Sequence, residues 1–295
     1  MTPRKQRILR ALAKIASKIM SRRFYTRLLF RFAVKHRLDL QNPQMLSEKL
    51  CWMKLYYFPK DQLAIKCTDK YMVREHIESI GMSEYLNELL GVWDDARKID
   101  FNVLPDQFVL KCTHGSGYNI IVEDNSKLDI KKTRRQLNKW LRENYGDINA
   151  EPHYDSLRKT ARIICEKFLM SEIVDYKFFC FHGKFEFGML ILHEKGLKQF
   201  ITFDKEGSLA PFTRADLAQT NTEFTMPDQF DEMRELSETL AANFPFVRVD
   251  WYCVDGKIYF GELTFVPTAG LMFFNPPKYD RILGDLLNIK KCNLK

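Results

Sequence analysis

Two carboxylates and an arginine lie inside apolar stretches near the end of the chain. Arg248 and Asp250 belong to the first stretch, and Glu262 belongs to the second. Charged side chains inside apolar strands are costly unless another group pairs with them. Two adjacent carboxylates repel unless one is protonated or a cation sits between them, so the pattern predicts Mg²⁺ held by Asp250 and Glu262 and completed by phosphate oxygens and water. The alternative is a structural ion pair between Arg248 and either acid.

The pairing of the two stretches decides whether these groups meet. A two-residue turn at Asp255 and Gly256 would send Glu262 to the face opposite Asp250. A three-residue loop that also includes Lys257 instead sets Asp250 opposite Glu262 and leaves the other face apolar, able to pack on a helix. We therefore predict the three-residue loop.

Lysines also occur inside apolar stretches, at Lys111 and Lys177. A lone strand lysine can extend its ammonium group to the surface. Two of them, with a flexible loop from His114 to Gly117 and a carboxylate pair, supply the cations, backbone N–H donors and metal that a nucleoside triphosphate site requires. Glu166 lies where a hinge between lobes could bind adenine and ribose, although a solvated charge at a strand edge fits its spacing equally.

The elements that position these residues change along the chain from helices to strands. This order predicts an α+β protein with two lobes. Helices are predicted near residues 47–57, 69–81, 131–144 and 228–243. Besides the C-terminal hairpin, strands are predicted near residues 108–112, 120–122, 163–169, 174–182, 185–192 and 199–203.

Composition and charge predict a folded protein with a basic first segment. The 295 residues are 45% hydrophobic and 13% aromatic, which suffices for a buried core. The net charge is +8, but residues 1–40 carry twelve bases and one acid, so the remaining residues sum to −3. Seven cysteines without a C-x-x-C pair indicate a reducing, cytoplasmic compartment. No stretch approaches the roughly 18 apolar residues of a membrane-spanning helix.

The basic segment at residues 1–40 predicts an amphipathic helix, because its apolar residues recur at spacings of three and four. Three interpretations remain open: a helix lying on an anionic membrane surface, a helix docked on the protein body with a solvated basic face, and an RNA-binding arm. We favour the membrane, since each base near an anionic surface contributes about 1 kcal/mol. We expect no nucleic-acid partner, and a protein that is peripheral on the inner face of the cytoplasmic membrane.

The ordered set of motifs resembles the TupA-like ATP-grasp family, which occurs in bacterial cell-surface polysaccharide gene clusters. The resemblance runs from about residue 42 to residue 275, and the order and spacing of the motifs are specific although each motif is short. In chain order the motifs are Asn42-Pro43, Glu48-Lys49-Leu50, Thr68-Asp69-Lys70-Tyr71, Phe108 to Gly117, Glu166, Asp175-Tyr176-Lys177-Phe178, Arg248-Val249-Asp250 and Gly261-Glu262-Leu263-Thr264.

The resemblance implies an ATP-grasp fold, in which two α+β lobes grip ATP between antiparallel sheets after a helical N-terminal region. The expected regions are a basic segment at 1–40, an N-terminal region at 41–105, a small lobe with the phosphate loop at 106–165 and a large lobe with the metal site at 166–290. The implied activity is ATP-dependent ligation of a carboxylate to an amine through an acylphosphate. The implied substrates are a uronic acid of a surface polysaccharide precursor and an amino acid or another amine.

Carried over by position, the resemblance assigns ATP and Mg²⁺ to particular residues. Lys177 and Arg248 would be catalytic, with Arg248 stabilising the transferring phosphoryl group. Asp250 and Glu262 would bind Mg²⁺. The implied ATP contacts are Lys111, His114, Gly115, Ser116, Gly117, Glu166, Leu169 and Lys177.

Two features of the motifs leave a role open. Asp69, Lys70 and Arg74 would orient an anionic substrate, or would simply belong to a capped and solvated helix. Many ATP-grasp enzymes have Asn where this chain has Thr264, and a hydroxyl group is a poorer metal ligand than a carboxamide oxygen.

A glycosyltransferase of the same polysaccharide pathways is the main alternative. Metal-dependent nucleotide-sugar transferases usually contain Asp-x-Asp, and this triplet does not occur in the sequence. The sequence also lacks a Walker loop, a G-x-S-x-G motif and zinc-ligand spacing among its six histidines. These observations favour the ligase.

Overall fold

The computed structural model describes residues 19–169, 174–194, 197–217 and 224–292. The helices are α1 Arg22–Ala33, α2 Leu46–Tyr56, α3 Gln62–Thr68, α4 Met72–Ser79, α5 Ile130–Leu141, α6 Phe230–Ala241 and α7 Lys278–Leu286. The strands are β1 Leu89–Trp93, β2 Phe108–Cys112, β3 Asn119–Val122, β4 Ile163–Lys167, β5 Asp175–Phe181, β6 Lys184–Glu194, β7 Leu197–Phe203, β8 Thr213–Arg214, β9 Phe246–Val254, β10 Lys257–Thr264 and β11 Phe274–Asn275.

The smaller lobe is an antiparallel four-stranded sheet in the order β1-β4-β2-β3, which packs on α5. It extends beyond the expected bounds of 106–165, because β1 precedes that range and Glu166 lies inside β4. Strand β1 was not among the predicted strands. Its residues, Leu-Leu-Gly-Val-Trp, are all partly buried and do not alternate between apolar and polar, which is the pattern that predicts a half-buried strand.

The larger lobe contains a five-stranded antiparallel sheet in the order β10-β9-β5-β6-β7. One face of β9 and β10 is apolar and buried against α6, as the sequence predicts. The indole N–H of Trp251 on β9 donates a 2.7 Å hydrogen bond to the Ser237 hydroxyl on α6. The predicted apolar residues of this face are all at most 4% exposed: Val247, Val249, Trp251, Leu263 and Phe265.

The expected N-terminal region at 41–105 does not form a separate unit. Its helices α2, α3 and α4 contribute buried residues such as Leu50 and Ile77 to the core of the larger lobe, whereas its strand β1 belongs to the smaller sheet. Near the start of α2, the backbone N–H and the hydroxyl of Ser47 both donate to the Asp280 carboxylate of α7, at 2.9 and 2.6 Å. The helices are thus held to the larger lobe by polar as well as apolar contacts.

The C-terminal hairpin has the predicted register but not the predicted turn. Asp250 lies opposite Glu262, and Arg248 lies opposite Thr264. The turn is the two-residue one, at Asp255 and Gly256, whose φ values of +51° and +74° fit a primed hairpin turn.

A β-bulge at Gly261 restores the register that this shorter turn would otherwise lose. A Cβ atom at Gly261 would lie 2.9 Å from the carbonyl oxygen of Asp250, so the bulge requires glycine. The predicted three-residue loop is therefore wrong, because the extra residue that sets the register lies in the strand, at Gly261, and not in the turn.

Much of the predicted basic amphipathic helix falls in residues 1–18, which are outside the described residues. Helix α1 follows this part of the chain. Ser21 caps α1 by accepting a 3.3 Å hydrogen bond from the N–H of Phe24. Its inner face is docked on the body through the buried Tyr25, Thr26 and Phe30. Among the described residues, no helix has the length and apolar character needed to cross a membrane.

Candidate active site

The Asp250 carboxylate lies at the centre of the site and is saturated with cationic donors. It is 2% exposed. Lys177 Nζ donates to its Oδ2 at 2.6 Å, while Arg248 donates from Nη2 to Oδ2 at 2.7 Å and from Nε to Oδ1 at 2.6 Å. Strand pairing explains the meeting, because Lys177 of β5 lies directly opposite Asp250 of β9. The two predicted catalytic cations are therefore both bound to one predicted metal ligand.

Glu262 on β10 is the more accessible carboxylate, with a side chain that is 31% exposed. Its Oε1 accepts hydrogen bonds from Arg248 at 3.1 Å and from the Thr264 hydroxyl at 2.9 Å, and its Oε2 lies 3.6 Å from Lys70 Nζ. Burial by itself would raise the pKa of Glu262, but the attraction of Lys70, Arg248 and Lys177 outweighs it and lowers the pKa to about 2. Glu262 is therefore ionised at neutral pH.

Arg248 is held in place by both acids and by Thr264, whose hydroxyl oxygen accepts a 3.0 Å hydrogen bond from Nη2. Burial would lower the pKa of Arg248, but Asp250 and Glu262 reverse this and raise it above its ordinary value. The role that the sequence left open for Thr264 is visible here. Its hydroxyl accepts from Arg248 and donates to Glu262, so it orients two site residues.

Asp175 and Tyr252 belong to the site although sequence reasoning gave them no role. Asp175 Oδ2 lies 3.8 Å from Lys177 Nζ, and burial raises the pKa of this carboxylate although Lys177 opposes the shift. Tyr252 lies opposite Asp175, and burial, followed by the charge of Asp175, raises the pKa of its hydroxyl. The spacing of Asp175 and Lys177 was the available signal, because residues two apart on a strand share a face.

On the smaller lobe, Lys111 and Glu166 form a second ion pair. Lys111 Nζ on β2 donates to Glu166 Oε2 on the adjacent strand β4 at 2.6 Å. Arg74 Nη1 lies 3.6 Å from the other oxygen of Glu166. Glu166 is 9% exposed, so it is not the solvated strand-edge charge that its spacing also allowed. Leu169, the other predicted nucleoside contact, follows β4 and is partly buried.

The loop between β2 and β3 has the conformation that its glycines allow. Gly117 has a φ of +71°, and Ser116 and Gly117 are exposed at the tip. Gly115 is buried, and a Cβ atom there would lie 2.7 Å from the Tyr118 ring and 2.9 Å from the Tyr145 ring. Exposed backbone N–H groups at the tip can donate to a phosphate.

The His114 side chain contacts the protein itself, whereas the resemblance implies a contact with ATP. This side chain is fully buried, and Nε2 lies 3.1 Å and 3.2 Å from the carbonyl oxygens of Trp140 and Glu143 at the end of α5. Because both partners are acceptors, Nε2 carries the proton. Burial lowers the pKa of His114. The imidazole anchors the loop to α5 and is not exposed to a ligand in this conformation.

The start of α4 brings Lys70 between the phosphate loop and Glu262. Asp69 is 1% exposed, and its Oδ1 accepts the N–H groups of Tyr71 and Met72, so it is a helix cap. The Lys70 N–H donates to the Thr113 carbonyl at 3.1 Å, and Lys70 Nζ donates to the Gly115 carbonyl at 2.9 Å. The capped-helix interpretation therefore fits Asp69, whereas Lys70 lies in the site.

Lys70 bridges the cleft between the lobes, because its ammonium group contacts the Gly115 carbonyl on one side and Glu262 on the other. One cavity there has about 10 Å³ of space for the centres of water molecules, which is room for about one water. The residues that line the cavity are Lys70, Arg74, Leu86, Lys111, Glu166, Phe260 and Gly261.

Asp250 and Glu262 have the chemistry of a magnesium pair. Mg²⁺ is usually held by one or two carboxylates and completed by phosphates and water. Within the described ranges, no group of three or more His, Cys, Asp or Glu side chains is arranged to hold a metal ion. The pair therefore fits a metal that arrives with a phosphate ligand, provided that Lys177 and Arg248 release Asp250.

Comparison with known proteins identifies a family for the chain. The sequence profile described as TupA-like ATPgrasp matches residues 48–288. Among curated proteins, none matches the chain significantly. The chain resembles a D-alanine–D-alanine ligase from Bacillus anthracis complexed with ATP, at 16% identity and a TM-score of 0.46 over 78% of this chain and 67% of that one.

Two further solved structures are similar at lower coverage. An ADP complex of PurK, an N5-carboxyaminoimidazole ribonucleotide synthetase, has 14% identity and a TM-score of 0.42 over 71% of this chain and 48% of that one. An L-amino acid ligase from Bacillus licheniformis has 12% identity and a TM-score of 0.43 over 70% of this chain and 44% of that one. The chain thus spans about half the length of these two proteins. With the profile covering most of its length, the chain belongs to the TupA-like ATP-grasp family.

Proposed function

We propose that this protein is an ATP-dependent carboxylate–amine ligase. The observation that carries the proposal is the meeting of Lys177, Arg248, Asp250 and Glu262 on three adjacent strands of the larger sheet. Lys70 connects this group to the phosphate loop of the smaller lobe. Cations, backbone donors and a carboxylate pair in a closed cleft are what stabilises a transferring phosphoryl group.

The reaction begins with transfer of the γ-phosphoryl group of ATP to a carboxylate oxygen of the acceptor. The bond to the β–γ bridging oxygen breaks and ADP leaves. An amine then attacks the acyl carbon, and inorganic phosphate leaves as the amide forms and the nitrogen loses a proton to solvent. Lys177 and Arg248 hold phosphate oxygens after they leave Asp250. Asp250 and Glu262 would hold Mg²⁺, which when bound would neutralise part of the negative charge that develops on the phosphates.

We further propose that the carboxylate is a uronic acid of a surface polysaccharide precursor, and that the amine is an amino acid or a related compound. The family resemblance supports this assignment.

The test is incubation of the purified protein with ATP, Mg²⁺, a uronic acid and a panel of amines. The expected result is release of ADP and phosphate in equal amounts, dependent on the acid. Hydroxylamine should trap the acylphosphate as a hydroxamate. Turnover of a nucleotide sugar without ATP cleavage would overturn the ligase assignment in favour of a glycosyltransferase.

A pair of lysine variants separates catalysis from folding. Lys177→Met removes a donor to Asp250, and we expect loss of ATP cleavage. Lys184→Met is the matched control, because Lys184 pairs with Glu238 at 2.8 Å on the exposed end of the same sheet. Equal activity in the two variants would contradict the assignment of Lys177.

A further inference from the structure

The outer face of α1 combines bases with exposed aromatic rings. Arg23, Arg27 and Arg31 recur every four residues and are all exposed. Phe24 is 55% exposed and Phe32 is 75% exposed. In the sequence, no acidic residue precedes Asp39. The outer face of α1 therefore offers both positive charge and apolar surface.

Contacts of the opposite face fix the orientation of α1. Arg22 lies 2.7 Å from the Asp155 carboxylate, and the Tyr25 hydroxyl donates to the Ile148 carbonyl at 3.2 Å. Phe30 is fully buried. Because the inner face is held by ionic, hydrogen-bonded and apolar contacts, α1 cannot rotate to bury Phe24 and Phe32 against the body.

We propose that this outer face binds an anionic membrane surface, with α1 parallel to the bilayer plane. Bases would contact lipid phosphates, and the phenyl rings would enter the boundary between headgroups and acyl chains. Charge complementarity and the two exposed rings both support this partner. The proposal goes beyond the ligase activity and does not depend on it.

A second basic helix shows that charge alone does not identify this surface. Helix α5 exposes Lys131, Lys132, Arg135 and Lys139, but it contributes no exposed large hydrophobic residue. Each of the two helices therefore offers cations to a polyanion. Of these two, only α1 also offers apolar groups to a bilayer.

Membrane contact through α1 would place the candidate active site beside the bilayer. The segment that receives α1 contains Ile148 and Asp155, and its Tyr145 packs against Tyr118 of the phosphate loop with ring centroids 5.6 Å apart. One short segment thus contacts both α1 and the phosphate loop.

The experiment measures binding of the full-length protein to vesicles of phosphatidylglycerol and phosphatidylcholine by flotation. For Arg27→Ala with Arg31→Ala, the partition coefficient should fall about 30-fold at low salt. For Phe24→Ser with Phe32→Ser, it should fall about tenfold. ATP cleavage without vesicles should be unchanged in both double variants.

Two controls make the outcome specific. Lys131→Ala with Arg135→Ala removes the same charge at the same spacing from α5, and Val103→Ser removes an apolar side chain that is 76% exposed elsewhere. Both should leave vesicle binding within about twofold of the original protein.

Three results would overturn the proposal. The first is equal loss of binding in the α1 and α5 double variants, which would mean general electrostatic attraction. The second is vesicle binding that survives the α1 substitutions, which would mean that α1 is not the contact. The third is binding to a single-stranded RNA oligonucleotide without binding to anionic vesicles, which would identify a nucleic-acid surface.

Discussion

Replacing Asp250 by Asn tests whether Lys177 and Arg248 are held ready for phosphate. In the structure these cations share one buried carboxylate through three hydrogen bonds of 2.6 to 2.7 Å. Asn has nearly the same shape, but it lacks the charge and directs an amide N–H₂ group toward one of the cations. The substitution therefore leaves two buried cations without their shared counter-ion.

The expected loss of stability follows from this geometry. Breaking a buried ion pair by removing one partner costs about 3–5 kcal/mol. Because the Asn oxygen still accepts one hydrogen bond, we expect a loss near the lower end, about 3 kcal/mol. For a protein of this size, each 1 kcal/mol lowers Tm by about 2–4 °C, so Tm should fall by about 6–12 °C.

The binding of ATP without metal should change in the opposite direction. In the original protein, a triphosphate that binds both cations must replace three hydrogen bonds to the charged Asp250 carboxylate, whereas in the variant it must replace at most one, to a neutral amide oxygen. One hydrogen bond to a charged group is worth about 1.5–3 kcal/mol, so ATP in the presence of EDTA should bind at least about tenfold more tightly to Asp250→Asn. Cleavage of ATP with Mg²⁺ should be lost, because a metal ligand is missing.

Titration calorimetry with ATP and EDTA, together with thermal scanning, checks both effects. Asp175→Asn is the matched control, since it removes a charge 3.8 Å from the same lysine without removing a hydrogen bond. It should change ATP affinity less than Asp250→Asn does. Unchanged or weaker binding of ATP by Asp250→Asn, despite its lower Tm, would refute the partner exchange and leave a structural ion pair.

Three further predictions concern Glu262, Glu151 and Gly115. Because its pKa is lowered, the Glu262 carboxylate stabilises the fold at pH values above its pKa in the unfolded chain, near 4.5. This stabilisation is lost as the pH falls toward 2. Glu262→Gln should therefore flatten the dependence of Tm on pH between about 4.5 and 2 and lower Tm at pH 7, where the contribution of the ionised carboxylate is fully present. It should also abolish Mg²⁺-dependent ATP cleavage at pH 7. Burial raises the pKa of Glu151 to about 7, so its contribution is present below about pH 4.5 and lost as pH rises through 7. A Tm profile of Glu151→Gln that is as steep as the original over this range would contradict the shift. In Gly115→Ala the added Cβ would displace the Tyr118 ring, so KM for ATP should rise about tenfold and stability should fall by about 1–3 kcal/mol, measured by steady-state kinetics and thermal scanning.

The pairing of Asp250 with Glu262 was predictable because burial of one face fixes the register of a hairpin. The combination of a two-residue turn and a bulge that produces this register was not predictable, because from the sequence Gly261 can be an ordinary strand residue or a bulge. Only the approach of the Asp250 carbonyl, 2.9 Å from where a Cβ would lie, shows why glycine is needed there.

The division of the chain into lobes was less accessible from sequence. The apolar residues of α2 and α4 predict that these helices are buried, but not which sheet covers them. Strand β1 pairs with β4, about 70 residues later in the chain, and pairing over such a separation leaves no local signal. Sequence order therefore suggested a single N-terminal region. In the structure, the helices of this region pack on the larger lobe and its strand β1 belongs to the smaller one.

The sequence at the start of α4 fits both a capped, solvated helix and a set of substrate-binding residues, and in the structure Asp69 and Lys70 differ in this respect. A capped helix accounts for Asp69, but Lys70 uses its backbone N–H and its ammonium group to hold two carbonyls of the phosphate loop. The same ammonium group lies 3.6 Å from Glu262, in the other lobe. A divalent ion on Glu262 would repel this ammonium group and leave the loop carbonyl as its remaining partner. If Glu262 binds a divalent ion, metal binding in the larger lobe and the position of the phosphate loop in the smaller lobe would be coupled through Lys70. Composition and spacing alone could not distinguish this lysine from a solvated base.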